Sequence, residues 1–141
     1  MKFFRFKSKK QESVPIKKYL IDWDDENCSN PEWVVKQFFK PYWKNHIVCA
    51  EFRIPGSLNR LDYLNLTLNI AVEVSPESTH GEYNEFMHGS RSGYIKRIKV
   101  DLEKEEWCNQ NKIKMITLED IDFAPENLNK KIIEEKFEVT L

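Results

Sequence analysis

Two carboxylic acids lie inside segments that otherwise have the composition of β-strands. Asp62 interrupts the run at residues 60–68, and Glu73 interrupts the apolar run at residues 70–74. Aspartate is disfavoured in strands, and a buried carboxylate is costly unless it is paired or binds a metal ion. If the two runs pair across a short turn, both acids can point to one place and offer Mg²⁺ the oxygen ligands it prefers. An alternative stays open, in which Asp62 pairs with Arg60 and Glu73 with a lysine.

A polar stripe follows on a predicted helix over residues 94–109. At about 100° per residue, one narrow face carries four polar or small residues: Arg97, Asp101, Lys104 and Cys108. Apolar residues flank this face on both sides: Ile95, Ile98 and Leu102 on one, Val100 and Trp107 on the other. Because a solvated face would not be flanked in this way, we expect Asp101 and Lys104 to point into the cleft of the two strand acids. A ladder of i,i+3 and i,i+4 salt bridges is the alternative.

The elements that position these residues begin with a helix. Asn30 suits the N-cap, and Pro31 and Glu32 suit the first turn. This helix should end near Lys40, because Pro41 follows. Three β-rich runs come next, at residues 46–54, 60–68 and 69–75, and the last two predict a hairpin that turns near Asn69.

The second half of the chain supplies a long segment and three more elements. Residues 76–93 are irregular in composition, and a polar segment of this length in a compact domain is usually functional or mobile. After the helix at 94–109, residues 112–118 predict an interior strand, and Pro125 opens a last helix. The order α, β-β-β, loop, α, β, α predicts a single α/β sandwich with a central mixed β-sheet flanked by helices.

Composition excludes several classes of protein. Of the 141 residues, 40% are hydrophobic and 13% aromatic, which excludes a disordered chain. No run approaches the roughly 18 apolar residues of a membrane span, and the basic start lacks the apolar stretch of a signal peptide. Three scattered cysteines do not form a disulfide framework. We therefore expect a cytoplasmic protein with no membrane partner.

Positive charge is concentrated at the amino-terminal end. Residues 1–18 carry seven lysines and arginines against one acid, although the net charge is −1. We divide the chain into a basic, aromatic arm at residues 1–28 and a domain at residues 29–141. The arm either meets an anionic partner or is a solvated tail. Its interleaved Phe3, Phe4 and Phe6 either stack on bases or form an edge strand that buries alternate aromatic rings.

The order of these residues over positions 30–120 resembles the PD-(D/E)XK nuclease superfamily. The residues that carry the resemblance are Glu32, Asp62, Ala71-Val72-Glu73-Val74-Ser75, His80, Val100-Asp101-x-x-Lys104 and Met115-Ile116-Thr117-Leu118. Within the superfamily, the chain is most similar to small phage and homing-type endonucleases related to the very-short-patch mismatch endonucleases. The resemblance implies a restriction-endonuclease-like fold and a phage- or mobile-element-encoded, Mg²⁺- or Mn²⁺-dependent hydrolase that cuts DNA in the host cytoplasm, acting as a homodimer.

The resemblance also implies roles for individual residues. Asp62 and Glu73 would be the metal ligands and His80 an acid or base. Asp101 and Lys104 would support the chemistry, and Glu32 would match the family's helix glutamate. The residues expected to bind DNA are Arg97 at the rim of the cleft, together with Arg91, Lys96 and Lys7.

One departure from the family pattern defines a second candidate function. Ser75 stands where the superfamily usually has a lysine, two residues after the strand acid, so Lys104 or His80 would have to take over its role. Together with the net charge of −1, this favours a non-catalytic module that binds nucleic acid or protein on a degenerate nuclease fold. The metal-dependent endonuclease is the first hypothesis, and the binding module is the alternative.

Overall fold

The computed structural model describes residues 1–75 and 91–141, without the side chains of residues 91, 92 and 94. The irregular segment predicted at 76–93 therefore falls almost wholly outside the described residues, as does His80. In chain order the elements are β1 (Lys2–Phe4), β2 (Gln11–Ser13), a 3₁₀ turn (Ile16–Tyr19), α1 (Asn30–Trp43), β3 (Val48–Arg53), β4 (Arg60–Asn65), β5 (Ile70–Val74), α2 (Arg91–Gln110), β6 (Lys114–Leu118), a second 3₁₀ turn (Asp120–Phe123) and α3 (Lys130–Phe137). None of the helices in these ranges is long and apolar enough to cross a membrane.

The start of α1 differs from the prediction by one residue. Ser29, not Asn30, is the N-cap, and its Oγ accepts the Glu32 N–H at 3.3 Å. Ser29 also donates its hydroxyl to Glu32 Oε1 at 3.1 Å. This exchange ties the Glu32 carboxylate to the first turn, where a negative charge complements the helix dipole.

The end of α1 lies beyond the predicted stop at Lys40. The helix continues through Pro41 to Trp43. Trp43 is fully buried and stacks on Phe39 with 4.0 Å between the ring centroids. The free energy gained by burial of this indole exceeds the cost of the one backbone hydrogen bond that Pro41 removes from the last turn.

Four strands form one mixed sheet in the order β3-β4-β5-β6. The pairs β3–β4 and β4–β5 are antiparallel, and β5–β6 is parallel. This confirms the predicted mixed α/β architecture and the hairpin, which turns at residues 66–69 with Asn69 in the left-handed region. The interior position predicted for the strand at 112–118 is wrong. Among the described strands β6 lies at one edge of the sheet, and its Lys114 is exposed.

Apolar clusters cover both faces of the sheet. Leu64 and Ala71 pack with Trp107 of α2 in one cluster, whereas the alternate residues Tyr63 and Val72 pack in the other. The second cluster also contains buried residues of α1 and α3. Since alternate strand residues point to opposite faces, α2 lies on one side of the sheet and α1 and α3 lie on the other.

The α2 stripe is flanked by apolar residues, as the spacing predicts, but one of these flanks is exposed to solvent. Ile95, Ile98 and Leu102 are 55%, 44% and 61% exposed. The core contacts of α2 come from its last turns, where Trp107 and Cys108 are fully buried. The polar stripe therefore lies between one solvent-exposed apolar flank and one flank that leads into the core.

The last helix begins later than predicted. Pro125 lies in the preceding turn, and α3 starts at Lys130 with Asn129 as its N-cap. Asn129 Oδ1 accepts the Ile132 N–H at 3.0 Å, which satisfies a free donor of the first turn. Ile133 of this helix is fully buried.

The amino-terminal segment packs on the α2 side of the sheet. Strands β1 and β2 form a separate antiparallel pair. Phe3 is buried against Phe52 and Trp107, with ring centroids 5.3 and 5.7 Å away, and Trp107 donates its indole N–H to the Phe4 carbonyl at 2.8 Å. Phe3 thus buries its ring as the strand interpretation of this segment predicts, although its partner strand is β2 and not the main sheet.

Candidate active site

Asp62 and Glu73 meet where the β4–β5 ladder ends. The last paired residues are Tyr63 and Val72, so the next step of the antiparallel register sets Asp62 opposite Glu73. At this point the two carboxylates, instead of backbone carbonyl groups, accept hydrogen bonds from backbone N–H groups. Asp62 Oδ2 accepts the Val74 N–H at 2.9 Å, and Glu73 Oε2 accepts the Asp62 N–H at 3.4 Å. The structure therefore brings the two predicted acids together on neighbouring strands.

Glu73 is a carboxyl group in an unfavourable place for charge. It is 6% exposed, and its burial, followed by the charge of Asp62 and a hydrogen bond with it, raises its pKa from 4.5 to about 9. Lys104 acts in the opposite direction and is outweighed. In the protein without a bound cation, burial and the neighbouring Asp62 therefore favour the protonated form of Glu73 at pH 7.

Lys104 reaches from α2 to the sheet. Its Nζ lies 2.9 Å from Glu73 Oε1, and its side chain is 16% exposed. This distance is that of an ion pair, yet Oε1 has no hydrogen bond of acceptable geometry within the described part of the chain. A salt-bridge ladder confined to the helix therefore does not account for Lys104. Instead, the Lys104 ammonium group lies next to Glu73 Oε1, a buried oxygen that can still accept a hydrogen bond or bind a cation.

The alternative ion pairs of the sequence interpretation have different outcomes. Glu73 does pair with a lysine, Lys104. Arg60, however, lies 3.9 Å from Glu51 on the neighbouring strand and is not paired with Asp62. Asp62 therefore keeps a partly exposed carboxylate, which accepts a hydrogen bond from the backbone of Val74.

A cavity of about 420 Å³ opens beside the carboxylate pair. Asp62, Glu73 and Lys104 line it, and so do Asp101 and Arg97 from the same face of α2. The predicted convergence of the stripe and the strand acids on one cleft is therefore what the structure shows. The exposed residues Ile98 and Leu102 form the outer lip of the cavity, and Ser75 lies at its wall.

Glu32 approaches the pair from the other side of the sheet. Burial is the main cause that raises its pKa, and the charge of Asp62 comes second. The Tyr63 hydroxyl donates to the Glu32 backbone carbonyl at 3.0 Å, which fixes the start of α1 against β4. Burial, together with neighbouring carboxylates, also raises the pKa of Tyr63, so this hydroxyl stays a donor. Glu32 therefore contributes negative potential near Asp62 without lining the cavity.

The predicted DNA-binding residues are dispersed. Arg97 lines the cavity, whereas Lys96 is exposed on α2 outside the cavity lining and Lys7 is exposed at the tip of the β1–β2 turn. The Arg91 side chain and His80 lie outside the described part. Only Arg97 among the described members is placed at the carboxylate pair.

Sequence reasoning missed Thr117 as a wall of the site. It is the parallel-sheet partner of Glu73 and lines the same cavity. In the sequence, the feature that could have indicated this role is the hydroxyl side chain of Thr117 within the mainly apolar run at residues 113–118. Its side chain can donate or accept a hydrogen bond next to the carboxylates.

The carboxylate oxygens of Asp62 and Glu73 suit a hard divalent cation such as Mg²⁺ better than a softer metal ion. Mg²⁺ is commonly held by one or two carboxylates while it keeps water and substrate phosphate oxygens. Asp62 and Glu73 supply two carboxylates, one of which has an unsatisfied buried oxygen. Within residues 1–75 and 91–141 no group of three or more His, Cys, Asp or Glu side chains forms a metal cage, so a closed structural site is not present there. Asp62 and Glu73 are the residues that would hold such an ion.

Comparison with protein-family models, with curated proteins and with solved structures gives no match for this chain. Its function must therefore be argued from the geometry of the site.

Proposed function

We propose that the protein is a metal-dependent endonuclease that hydrolyses phosphodiester bonds in DNA. The observation that carries the proposal is the juxtaposition of Asp62 and Glu73 at a solvent-accessible cavity, with Lys104 Nζ 2.9 Å from the buried carboxylate. The element order α-β-β-β-α-β, with the acids on the second and third of the three strands, supports a restriction-endonuclease-like fold and the PD-(D/E)XK resemblance.

Each group of the cavity has a chemical role in this proposal. Mg²⁺ or Mn²⁺, held by Asp62 and Glu73, would polarise the scissile phosphate and lower the pKa of an attacking water. Lys104 lies where its charge can neutralise the negative charge that develops on the phosphoryl oxygens. This position supports Lys104, rather than His80, as the residue that takes the role of the lysine that the superfamily usually has at the position of Ser75. Its side chain is 16% exposed and its ammonium group already lies at the carboxylate pair, so it needs little reorganisation during the reaction.

The remaining residues position or bind. Asp101 lines the cavity about one helical turn before Lys104, where its carboxylate can help to position the ammonium group. Arg97 lies a further turn towards the start of α2, where a guanidinium can bind a phosphate next to the one that is cut. Glu32 adds negative potential near Asp62 and so favours cation binding.

A cleavage assay with matched variants tests the proposal. The purified chain is incubated with supercoiled, branched and single-stranded DNA, with and without Mg²⁺ or Mn²⁺. We expect cation-dependent cleavage of at least one substrate, loss of cleavage in Asp62→Asn, and wild-type cleavage in Glu106→Gln, which removes an exposed carboxylate from the same helix as Lys104. Absence of cleavage in every condition, or full cleavage by Asp62→Asn, contradicts the proposal.

The second candidate function is a binding module that has lost catalysis. The observation that favours it is Ser75 in place of the family lysine, on a site where Glu73 is neutral before a cation binds. Thermal melts with Mn²⁺ separate the two candidates, because an ion that binds only the native state raises the melting temperature. Stabilisation that depends on Asp62 supports the nuclease, whereas a chain that binds DNA but shows no response to Mn²⁺ supports the binding module.

A further inference from the structure

A second open region lies beside β3, away from the carboxylate pair. Two cavities of about 530 and 380 Å³ share Lys18, Tyr19 and Arg53 in their walls and are therefore adjacent; together they are called the basic groove. Four cationic residues line this basic groove: Arg5, Lys18, Arg53 and Arg60. Two carboxylates line it as well, Glu12 and Glu51.

The two carboxylates are already engaged, so the groove has a positive surplus. Arg5 pairs with Glu12, and Arg60 lies 3.9 Å from Glu51. Lys18 and Arg53 are exposed and have no carboxylate at ion-pair distance within the part of the chain that the structure describes. These two cations are available to an anion from solution.

The groove is also held in shape. Arg53 donates from Nε to the Ser57 carbonyl at 3.2 Å, and Lys18 Nζ lies 5.1 Å from the centre of the Tyr19 ring. Gly56 forms part of the wall at φ 82°, and a Cβ atom there would lie 3.1 Å from the Phe6 nitrogen. Glycine therefore lets the β1–β2 hairpin approach the turn after β3 closely, and the Phe6 N–H donates to the Pro55 carbonyl at 2.8 Å.

The groove includes a residue of β4, the strand that carries Asp62. Arg53 and Arg60 are register partners on β3 and β4, and Arg60 precedes Asp62 by two residues on the same strand, or about 7 Å. A phosphate backbone held at Arg53 and Arg60 would therefore lie close to the strand position that carries Asp62.

We propose that the basic groove binds the phosphate backbone of the DNA substrate, with Lys18 and Arg53 as phosphate-binding, positioning residues. This inference rests on the proposed nuclease function, which supplies the polyanion. It assigns to Lys18 the role that the positive charge of residues 1–18 predicted only for the amino-terminal end as a whole. Phosphate contacts of this type fix register and carry little sequence preference.

The test measures DNA binding without cleavage. Fluorescence anisotropy follows a short labelled duplex and its single strand against the full chain in EDTA, over a series of salt concentrations. Each lost phosphate contact lowers the slope of log K against log salt by about 1, so Lys18→Ala with Arg53→Ala should lower it by about 2. The control pair, Lys44→Ala with Lys131→Ala, removes the same charge from exposed positions outside the groove and should leave the slope unchanged.

The outcomes separate this inference from the proposed function. Binding that depends on Lys18 and Arg53 in a chain that cuts no substrate supports the groove and contradicts the nuclease. Cleavage and binding that are unaffected by the double variant overturn the groove and leave the nuclease intact. An equal effect of the control pair on the slope also overturns the groove as the DNA-binding site. If the chain does not bind DNA but binds polyglutamate in a way that depends on Arg53, the groove is assigned to an acidic protein and the inference is overturned.

Discussion

Glu73→Gln should make the protein more stable at alkaline pH while it removes activity. In the folded chain, burial and Asp62 hold the pKa of Glu73 at about 9, against 4.5 for the exposed group. Between these values the unfolded chain releases the proton and the native chain keeps it. The contribution of Glu73 to stability is therefore complete below pH 4.5 and is lost as pH rises towards 9.

The size of the effect follows from the proton linkage. Each pH unit in this window lowers the free energy of unfolding by up to about 1.4 kcal/mol, which is about 4 kcal/mol between about pH 5 and about pH 8. A glutamine has the shape of the protonated acid and does not titrate. The variant should therefore match the wild type near pH 5 and melt on the order of 10 °C higher near pH 8.

Thermal melts by circular dichroism in EDTA, at a series of pH values, measure this difference directly. The control is Glu106→Gln, whose exposed carboxylate should change stability by less than about 0.5 kcal/mol at any pH. If the difference between Glu73→Gln and the wild type is the same at every pH, Glu73 is ionised in the native protein and the electrostatic argument is refuted.

Three further perturbations probe the same site. Lys104→Met should lower the free energy of unfolding by only about 1 kcal/mol, since Glu73 can stay protonated without its partner, and a urea titration that shows a much larger loss would contradict this. Mn²⁺ at about 100 times its dissociation constant should stabilise the wild type by about 2.7 kcal/mol, with an affinity that increases from about pH 6 to about pH 8 because Glu73 must release its proton. Calorimetric binding that does not vary with pH would speak against this coupling. Arg97→Ala should weaken DNA binding and lower its salt slope by about 1 while single-turnover cleavage at saturation is unchanged; a reduced rate at saturation would give Arg97 a part in the chemistry.

The carboxylate pair could be predicted from the sequence because two local rules agree. Acids are unusual in β-rich runs, and a short turn between two such runs favours antiparallel pairing, which brings Asp62 and Glu73 close together. The helical spacing that puts Lys104 and Asp101 on one face is equally local. These rules need no knowledge of the rest of the fold.

The features that could not be predicted depend on distant contacts. The helix passes Pro41 because Trp43 finds a buried site beside Phe39, which no capping rule contains. Ile98 and Leu102 have core-like side chains, yet they are exposed because α2 meets the sheet mainly through its last turns. The basic groove likewise unites Lys18 and Arg53, which are far apart in sequence and are brought together by the edge of the sheet.

Single-turnover cleavage of DNA by Lys104→Met, beside wild type and Glu106→Gln, tests the central claim most directly. The claim is that Lys104 of α2, which lies against the Asp62–Glu73 pair, supplies the positive charge of the family lysine. The strand has Ser75 at the position of that lysine. It predicts a cleavage rate at least about 100-fold below wild type for Lys104→Met, with a nearly unchanged melting temperature and full activity in Glu106→Gln. A Lys104→Met protein that cuts DNA at the wild-type rate would contradict it.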